Sequence, residues 1–248
     1  MKQAILLVLL FFFSVNIPAK ENIYIDNGIA SSKEVWIDSD YKALLQALKD
    51  NKVPYPIIDS GESGDIFLAM VSEKNLQFFD FYLSDKAGLG PANSIKNALT
   101  LGVSMLENTR FIFQLYLEDS VKYERELAEQ LAFMTTLSGN LLIVANKFVE
   151  FNEGNLTDVQ KNGFKKMRSG LMMIMDGLIA SISEPQFSDA SLTSMSESLN
   201  KNINNYSQLY DEENRKVIIA RLDIVKNRQE NSFVKSNLTS AIEKLKSK

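Results

Sequence analysis

Apolar residues recur at spacings of three and four from residue 91 onward, which is the pattern of amphipathic helices. Between residues 91 and 152 the repeating positions are 99, 103, 106, 113, 117, 127, 131, 134, 141 and 148. One unbroken helix over this range would be about 90 Å long, which is too long for a compact domain. We therefore expect the helix to break at residues 118–120 or at residues 138–140.

Later helices are indicated by residues whose side chains can satisfy the free N–H groups of a first helical turn. Thr157 and Gln160 have the spacing of a capping box, and Pro185 ends the helix that they open. Further helices are predicted after Ser188 or Asp189, after Asp211, and over roughly residues 233–246.

Three glycines lie inside the helix predicted after Thr157. Gly163, Gly170 and Gly177 are seven residues apart in the stretch GFKKMRSGLMMIMDG and fall on one helix face. Each glycine costs about 1 kcal/mol against alanine in a helix interior, so a compensating contact is expected. We interpret this glycine face as a close packing contact within a bundle, and Gly170→Leu should then destabilise the protein strongly. Asp176 falls on a different, polar arc of the same helix.

The pattern is mixed before residue 91. NIYIDNG (22–28) and KEVWID (33–38) have the composition of short strands, whereas residues 40–51 have helical periodicity. Residues 66–83 fit either a hairpin or one buried helix, because periodicity does not separate the two over short apolar runs.

A linker rich in glycine, residues 85–91, separates these two regions of the chain. The predicted fold is therefore mainly α. It consists of a multi-helix antiparallel bundle over residues 91–248 and a small N-terminal portion, α or α+β, over residues 20–90.

The first 19 residues have the features of a secretory signal peptide. Lys2 precedes a wholly apolar run at residues 4–13, and a short stretch ending at Ala19 follows. The run is too short to span a bilayer, so we expect cleavage after Ala19 and no transmembrane segment in the mature chain. The expected location is periplasmic or secreted.

Composition indicates the compartment of the protein and the charge of its partner. With no cysteine in the chain, the exported protein depends on its core alone, and a bacterial periplasm suits it best. Residues 20–90 contain 7 basic and 12 acidic residues, so we expect an envelope protein partner with a basic surface. A concentrated basic patch is missing, which argues against a nucleic-acid partner.

The chain contains no histidine, which excludes a Ser-His-Asp triad, a zinc site of the usual Cys/His kind and haem held by histidine. Ser-x-x-Lys pairs occur at Ser198–Lys201 and Ser232–Lys235, but the companion Ser-Asp-Asn and Lys-Thr-Gly motifs are absent. Residues 59–70 resemble a calcium loop only in part, because Met70 stands where a bidentate glutamate is needed. We predict no metal and no cofactor.

Two charged residues fall on the apolar seam of the first long helical pattern. Continuing the spacing from Leu99 places Arg110 and Glu124 among apolar positions, where a charge is costly unless it is paired. Either the helix breaks there and leaves both residues at its edge, or they form a buried ion pair with another helix.

These exclusions favour a non-catalytic binding protein of the cell envelope, such as an inhibitor, an immunity-type protein or an accessory protein. The alternative is a histidine-independent hydrolase that acts on envelope glycans through two carboxylates, whose separation is spatial and not visible in the sequence. Its candidate residues are Glu107, Glu118, Glu124, Glu150 and Glu153.

Overall fold

The computed structural model describes residues 23–29, 33–152 and 155–247. These residues form α-helices joined by turns and contain no β-strand, which confirms the predicted mainly α bundle. The predicted signal peptide, residues 1–19, lies outside the described residues. The helices are α1 (Ile23–Asp26), α2 (Asp38–Lys49), α3 (Glu62–Met70), α4 (Gln77–Leu83), α5 (Pro91–Tyr116), α6 (Glu124–Phe151), α7 (Asp158–Ile182), α8 (Asp189–Tyr206), α9 (Glu212–Arg228) and α10 (Ser232–Lys246).

Helix α6 is the central element of the bundle. It packs against α5, α7 and α8, and α10 packs against both α8 and α9. Within the described part of the chain, α6 alone is long and apolar enough to cross a membrane, but 83% of its most apolar window is buried inside the protein. Such burial is typical of a core helix.

The N-terminal portion contains helices where the sequence allows short strands. Ile23–Asp26 form a single helical turn, and residues 33–38 contain no strand. Residues 66–83 form neither a hairpin nor one helix, because α3 ends at Met70 and a short 3-10 turn, Glu73–Leu76, leads into α4.

A buried asparagine explains the turn between α3 and α4. The Asn75 side chain accepts a hydrogen bond from the Trp36 N–H at 2.7 Å and donates to the carbonyl oxygens of Ala69 and Met70 at 2.8 and 3.1 Å. Its amide therefore satisfies main-chain groups at the end of α3 that would otherwise be buried without partners.

The long apolar repeat breaks at the first of the two predicted positions. α5 ends at Tyr116, a 3-10 turn covers Leu117–Asp119, and α6 begins at Glu124. The second predicted break, at residues 138–140, is wrong because α6 continues through Gly139. A Cβ at Gly139 would lie 2.9 Å from Oδ1 of Asn202, so this glycine permits the close approach of α8.

The helix caps predicted at Thr157, Ser188 and Asp211 are confirmed, whereas α2 already begins at Asp38, which a cap at Asp38 or Ser39 would not allow. The Thr157 hydroxyl accepts the N–H of Gln160 at 3.3 Å, and the Gln160 side chain accepts the N–H of Thr157 at 2.8 Å. Ser188 and Asp211 likewise each accept the N–H of the third residue that follows, at 3.3 and 2.8 Å. Helix starts were readable from sequence because capping is a local interaction.

The glycine face of α7 points away from the bundle, so the prediction of close packing there is wrong. Apart from the neighbouring backbone of α7 itself, no described atom lies within 4 Å of the position that a Cβ would occupy at Gly163, Gly170 or Gly177. The bundle instead covers the adjoining arc of α7, which carries Leu171, Met175, Leu178 and Ile182.

The charged residues on the apolar seam lie at its edge, as expected if the helix breaks. Arg110 is exposed, and Glu124 is the first residue of α6, where its Oε1 accepts the N–H of Ser188 at 2.6 Å. These residues therefore form no buried ion pair.

Asp176 lies on a polar arc of α7, as predicted, and accepts a hydrogen bond from Nη1 of Arg221 at 2.8 Å, which joins α7 to α9.

Candidate functional site

A groove of about 500 Å³ lies between the C-terminal end of α6 and the first half of α7. We call it the α6–α7 groove. Its apolar surface comes from Val149, Leu156, Phe164 and Met172, and its polar rim from Lys161, Lys165, Arg168 and Ser169. The volume is within the range of small-ligand and peptide-anchoring pockets, and the lining contains three cations and no carboxylate.

The groove exists because the first half of α7 extends past most of the bundle. Among residues 158–170, all are exposed except Phe164 and Met167. Phe164 holds this segment against α6, since its ring lies 5.4 Å from the ring of Phe148. The capping box at Thr157 starts the helix without help from the core.

The cations of the groove are only weakly engaged within the protein. Lys165 has no ion pair among the described residues, and Lys161 approaches the exposed carboxylate of Asp158 only at 3.7 Å. Arg168 donates from Nη2 to the carbonyl oxygen of Gln208 at 3.0 Å and is paired with no described carboxylate. Positive charge along this rim is therefore available to a ligand.

The acidic N-terminal portion differs in this respect. Six carboxylates between residues 33 and 73 form ion pairs with cations of the same chain. They are Glu34, Asp38, Asp40, Asp50, Asp59 and Glu73. Four of the pairing cations belong to this portion itself, so only Arg125 and Lys201 offset part of the acidic excess. Half of the 12 acidic residues are engaged in this way, which weakens this portion as a surface for a basic partner.

A second, smaller cavity of about 280 Å³ lies between α6, α8 and the 3-10 turn before α4. We call it the acidic cleft. Glu73, Glu129 and Glu197 line it together with Lys201 and the hydroxyl groups of Ser194, Ser198 and Thr136. Its volume is just below the usual range of small-molecule sites.

Glu129 is the carboxylate with a perturbed environment in this cleft. Burial raises the pKa of Glu129 above its usual range, and the nearby charge of Glu197 raises it further. A hydrogen bond from the Ser194 hydroxyl at 3.0 Å and the charge of Arg125 act in the opposite direction. A carboxyl group of this kind can hold a proton at higher pH than an ordinary glutamate.

The Ser-x-x-Lys pair that the sequence places in α8 also lies at this cleft, but it is not assembled as a catalytic dyad. Ser198 donates its hydroxyl hydrogen to the carbonyl oxygen of Ala132 at 2.8 Å. The ammonium group of Lys201 binds both carboxylate oxygens of Glu73 at 2.6 and 2.5 Å. The Lys201 ammonium group therefore binds Glu73, and the Ser198 hydroxyl donates its hydrogen to a main-chain carbonyl oxygen rather than to Lys201.

The carboxylates singled out from the sequence do not meet at a site. Glu107, Glu118 and Glu150 are exposed, Glu124 binds the start of α8, and Glu153 lies outside the described residues. Sequence reasoning missed Glu129, because what distinguishes it is burial beneath a helix whose residues lie about 65 positions away along the chain. No local pattern reports that contact.

The described residues contain no group of three or more carboxylates placed to hold a metal ion. Comparison with known proteins adds no further candidate, because no protein family, curated protein or solved structure matches the chain. Any role of the two cavities therefore rests on the residues that line them.

Proposed function

We propose that this chain is an exported, non-catalytic binding protein of the cell envelope, and that it holds its partner in the α6–α7 groove. The observation that supports this function is a groove of about 500 Å³ with an apolar floor and three weakly engaged cations. Export follows from the signal peptide expected at residues 1–19, so the partner is an envelope component.

Binding is favoured over catalysis because the groove contains no nucleophile activated by a base and no carboxylate. A cation beside an apolar surface provides orientation and affinity, which are the requirements of recognition. The acidic N-terminal portion, which the sequence suggested as the binding surface for a basic partner, is the weaker candidate because half of its 12 acidic residues form ion pairs within the fold.

Site-specific photo-crosslinking in cells of the source organism tests this function. A benzoylphenylalanine at Ser169, in the groove, should give one discrete adduct in the envelope fraction, whereas the same residue at exposed Lys235 on α10 should give none. Equal adducts from both positions, or no adduct from position 169, would rule out the groove as the binding site. The mass of the same purified protein also reports whether cleavage occurs after Ala19.

A carboxylate-based hydrolase of envelope glycans is the second candidate, and Glu129 is the observation in its favour. With its raised pKa, Glu129 would serve as general acid, and Glu197 in the same cleft would be the second carboxylate. Release of reducing ends from purified peptidoglycan should then be lost in Glu129→Gln and kept in Glu107→Gln, which changes an exposed glutamate on α5. Lack of release by the unmodified protein excludes this candidate.

A further inference from the structure

We infer that the α6–α7 groove binds an acidic amphipathic helix of a partner protein. The inference rests on the proposed function, because it names the chemistry of the partner for the same groove. Its evidence is the arrangement of charge and apolar surface along α7.

The cations of the groove are distributed along its length. Lys161, Lys165 and Arg168 lie on successive turns of α7, and Met172 continues the same row. From Lys161 to Met172 the row is about 16 Å long, which matches about three turns of a second helix. A single anionic headgroup would need its cations together at one end. A row of cations instead complements Asp and Glu residues repeated along one side of a helix.

The apolar floor of the groove would contact the apolar side chains of the partner helix. Val149 from α6 and Phe164 and Met172 from α7 line the space between the two helices, and Val149 is 40% exposed. Apolar side chains at positions i, i+3 or i+4, and i+7 of a partner helix would fill such a floor. Methionine and phenylalanine adapt well to this kind of contact.

Other occupants fit less well. The N-terminal residues 1–22 contain Lys2, Lys20 and one acid, Glu21, so they do not complement three cations. A second copy of the chain would have to offer the acidic N-terminal portion, in which half of the 12 acidic residues already form ion pairs within the fold. A planar bilayer would touch the rim of a groove between two helices and leave its floor uncovered.

A designed peptide is a suitable probe. It has about 18 residues, long enough to become helical when bound, with leucine at i, i+3, i+4 and i+7 and glutamate beside this stripe. Its controls are an isomer with the same composition and no stripe, and a version with lysine in place of glutamate. Fluorescence anisotropy with the full mature protein measures binding of each peptide.

The protein variants separate groove binding from general charge effects. Lys161→Glu with Lys165→Glu reverses the charge of the rim, and Met172→Gln makes the apolar floor polar without changing a charge. Lys235→Glu is the matched control, because Lys235 is an exposed helical lysine without a described ion pair. Circular dichroism melts confirm that each variant is folded.

We expect saturable binding of the striped acidic peptide that weakens about tenfold or more in both groove variants, stays unchanged in Lys235→Glu, and decreases with added salt. Equal binding of the unstriped isomer, lack of saturable binding, or binding insensitive to the groove variants would overturn the inference. Groove-dependent binding to phosphatidylglycerol vesicles but not to the peptide would assign the site to a membrane surface. A crosslinked adduct at position 169 together with failed peptide binding would reject only the helical partner and leave the binding function in place.

Discussion

Replacing the exposed glycines of α7 by alanine should stabilise the protein. Gly163 and Gly170 lie inside a helix. Apart from the neighbouring backbone of that helix, no described atom lies within 4 Å of the Cβ that an alanine would add. The substitution therefore introduces no clash and only restricts the unfolded backbone. This expectation has the opposite sign to the destabilisation of Gly170→Leu predicted from sequence, because leucine would also point into solvent.

The expected gain is about 0.5–1 kcal/mol for each glycine, or about 1–2 kcal/mol for the double variant. For a chain of this size, that corresponds to a rise in melting temperature of about 2–8 °C. The first half of α7 makes few contacts with the core, so part of the gain is expected as slower hydrogen exchange of its own amides.

Urea unfolding and hydrogen exchange of the double variant measure this gain, and Gly102→Ala is the matched control. A Cβ at Gly102 in α5 would lie 2.7 Å from Cδ2 of Leu141 and 2.8 Å from Cζ of Phe79. Overpacking of about 1–3 kcal/mol should there equal or exceed the helical gain, so this variant should not be stabilised. A loss of stability in Gly163→Ala/Gly170→Ala would show that a neighbour packs on the glycine face and would refute the reasoning.

Three further predictions follow from burial and charge. Arg110→Leu should change the free energy of unfolding by less than about 0.5 kcal/mol. Glu126→Ala should cost about 1–3 kcal/mol, because it leaves the partly buried main-chain N–H of Ile58 without its acceptor. Asn75→Leu should cost about 3 kcal/mol in urea unfolding, since several buried polar groups lose their partner together; a neutral result would contradict its role in the turn. Glu129→Gln should raise the urea midpoint at pH 7. The pKa of Glu129 is higher in the folded state than its unfolded value of about 4.3, so ionisation of this carboxyl destabilises the folded state as the pH rises through the folded pKa. The gain should disappear below about pH 4, where the Glu129 carboxyl is protonated in both the folded and the unfolded state.

Local interactions explain which parts of the fold were predictable from sequence. The capping box of Thr157 and the cap of Ser188 act within four residues, so the starts of α7 and α8 were correctly placed. Residues 138–140 appeared to be a break for a similarly local reason, the run Ser-Gly-Asn. That prediction was wrong because Gly139 permits the close approach of Asn202, which lies on a different helix.

The N-terminal portion was ambiguous because its apolar runs are short. Residues 66–83 have enough hydrophobicity for a strand or a helix, and the deciding interaction is the bond between Asn75 and the Trp36 N–H, 39 residues away. A polar side chain that satisfies distant main-chain groups has no periodic signature, so sequence analysis could identify the region as structured but not choose its form.

The sequence contains the spacing of the groove cations but not the orientation of the helix face that carries them. The spacing of Lys161, Lys165 and Arg168 already places three cations along one side of a helix. The sequence does not show whether that side of the helix faces the core or the solvent. The same periodicity allows several arcs of α7 to face the core, and packing selected the arc of Leu171 and Met175.

Few interactions within the protein stabilise the exposed first half of α7, which supports the proposed binding role of this segment. Its cap contributes about 1 kcal/mol, while Gly163 and Gly170 together cost about 1–2 kcal/mol against alanine, so local preference gives little or no net support to the helix. Burial adds little more, since Phe164 and Met167 are its only residues that are not exposed in the stretch 158–170. Its cations are only weakly engaged and its apolar floor is open, so in the proposed binding role a partner would supply the contacts that the bundle does not.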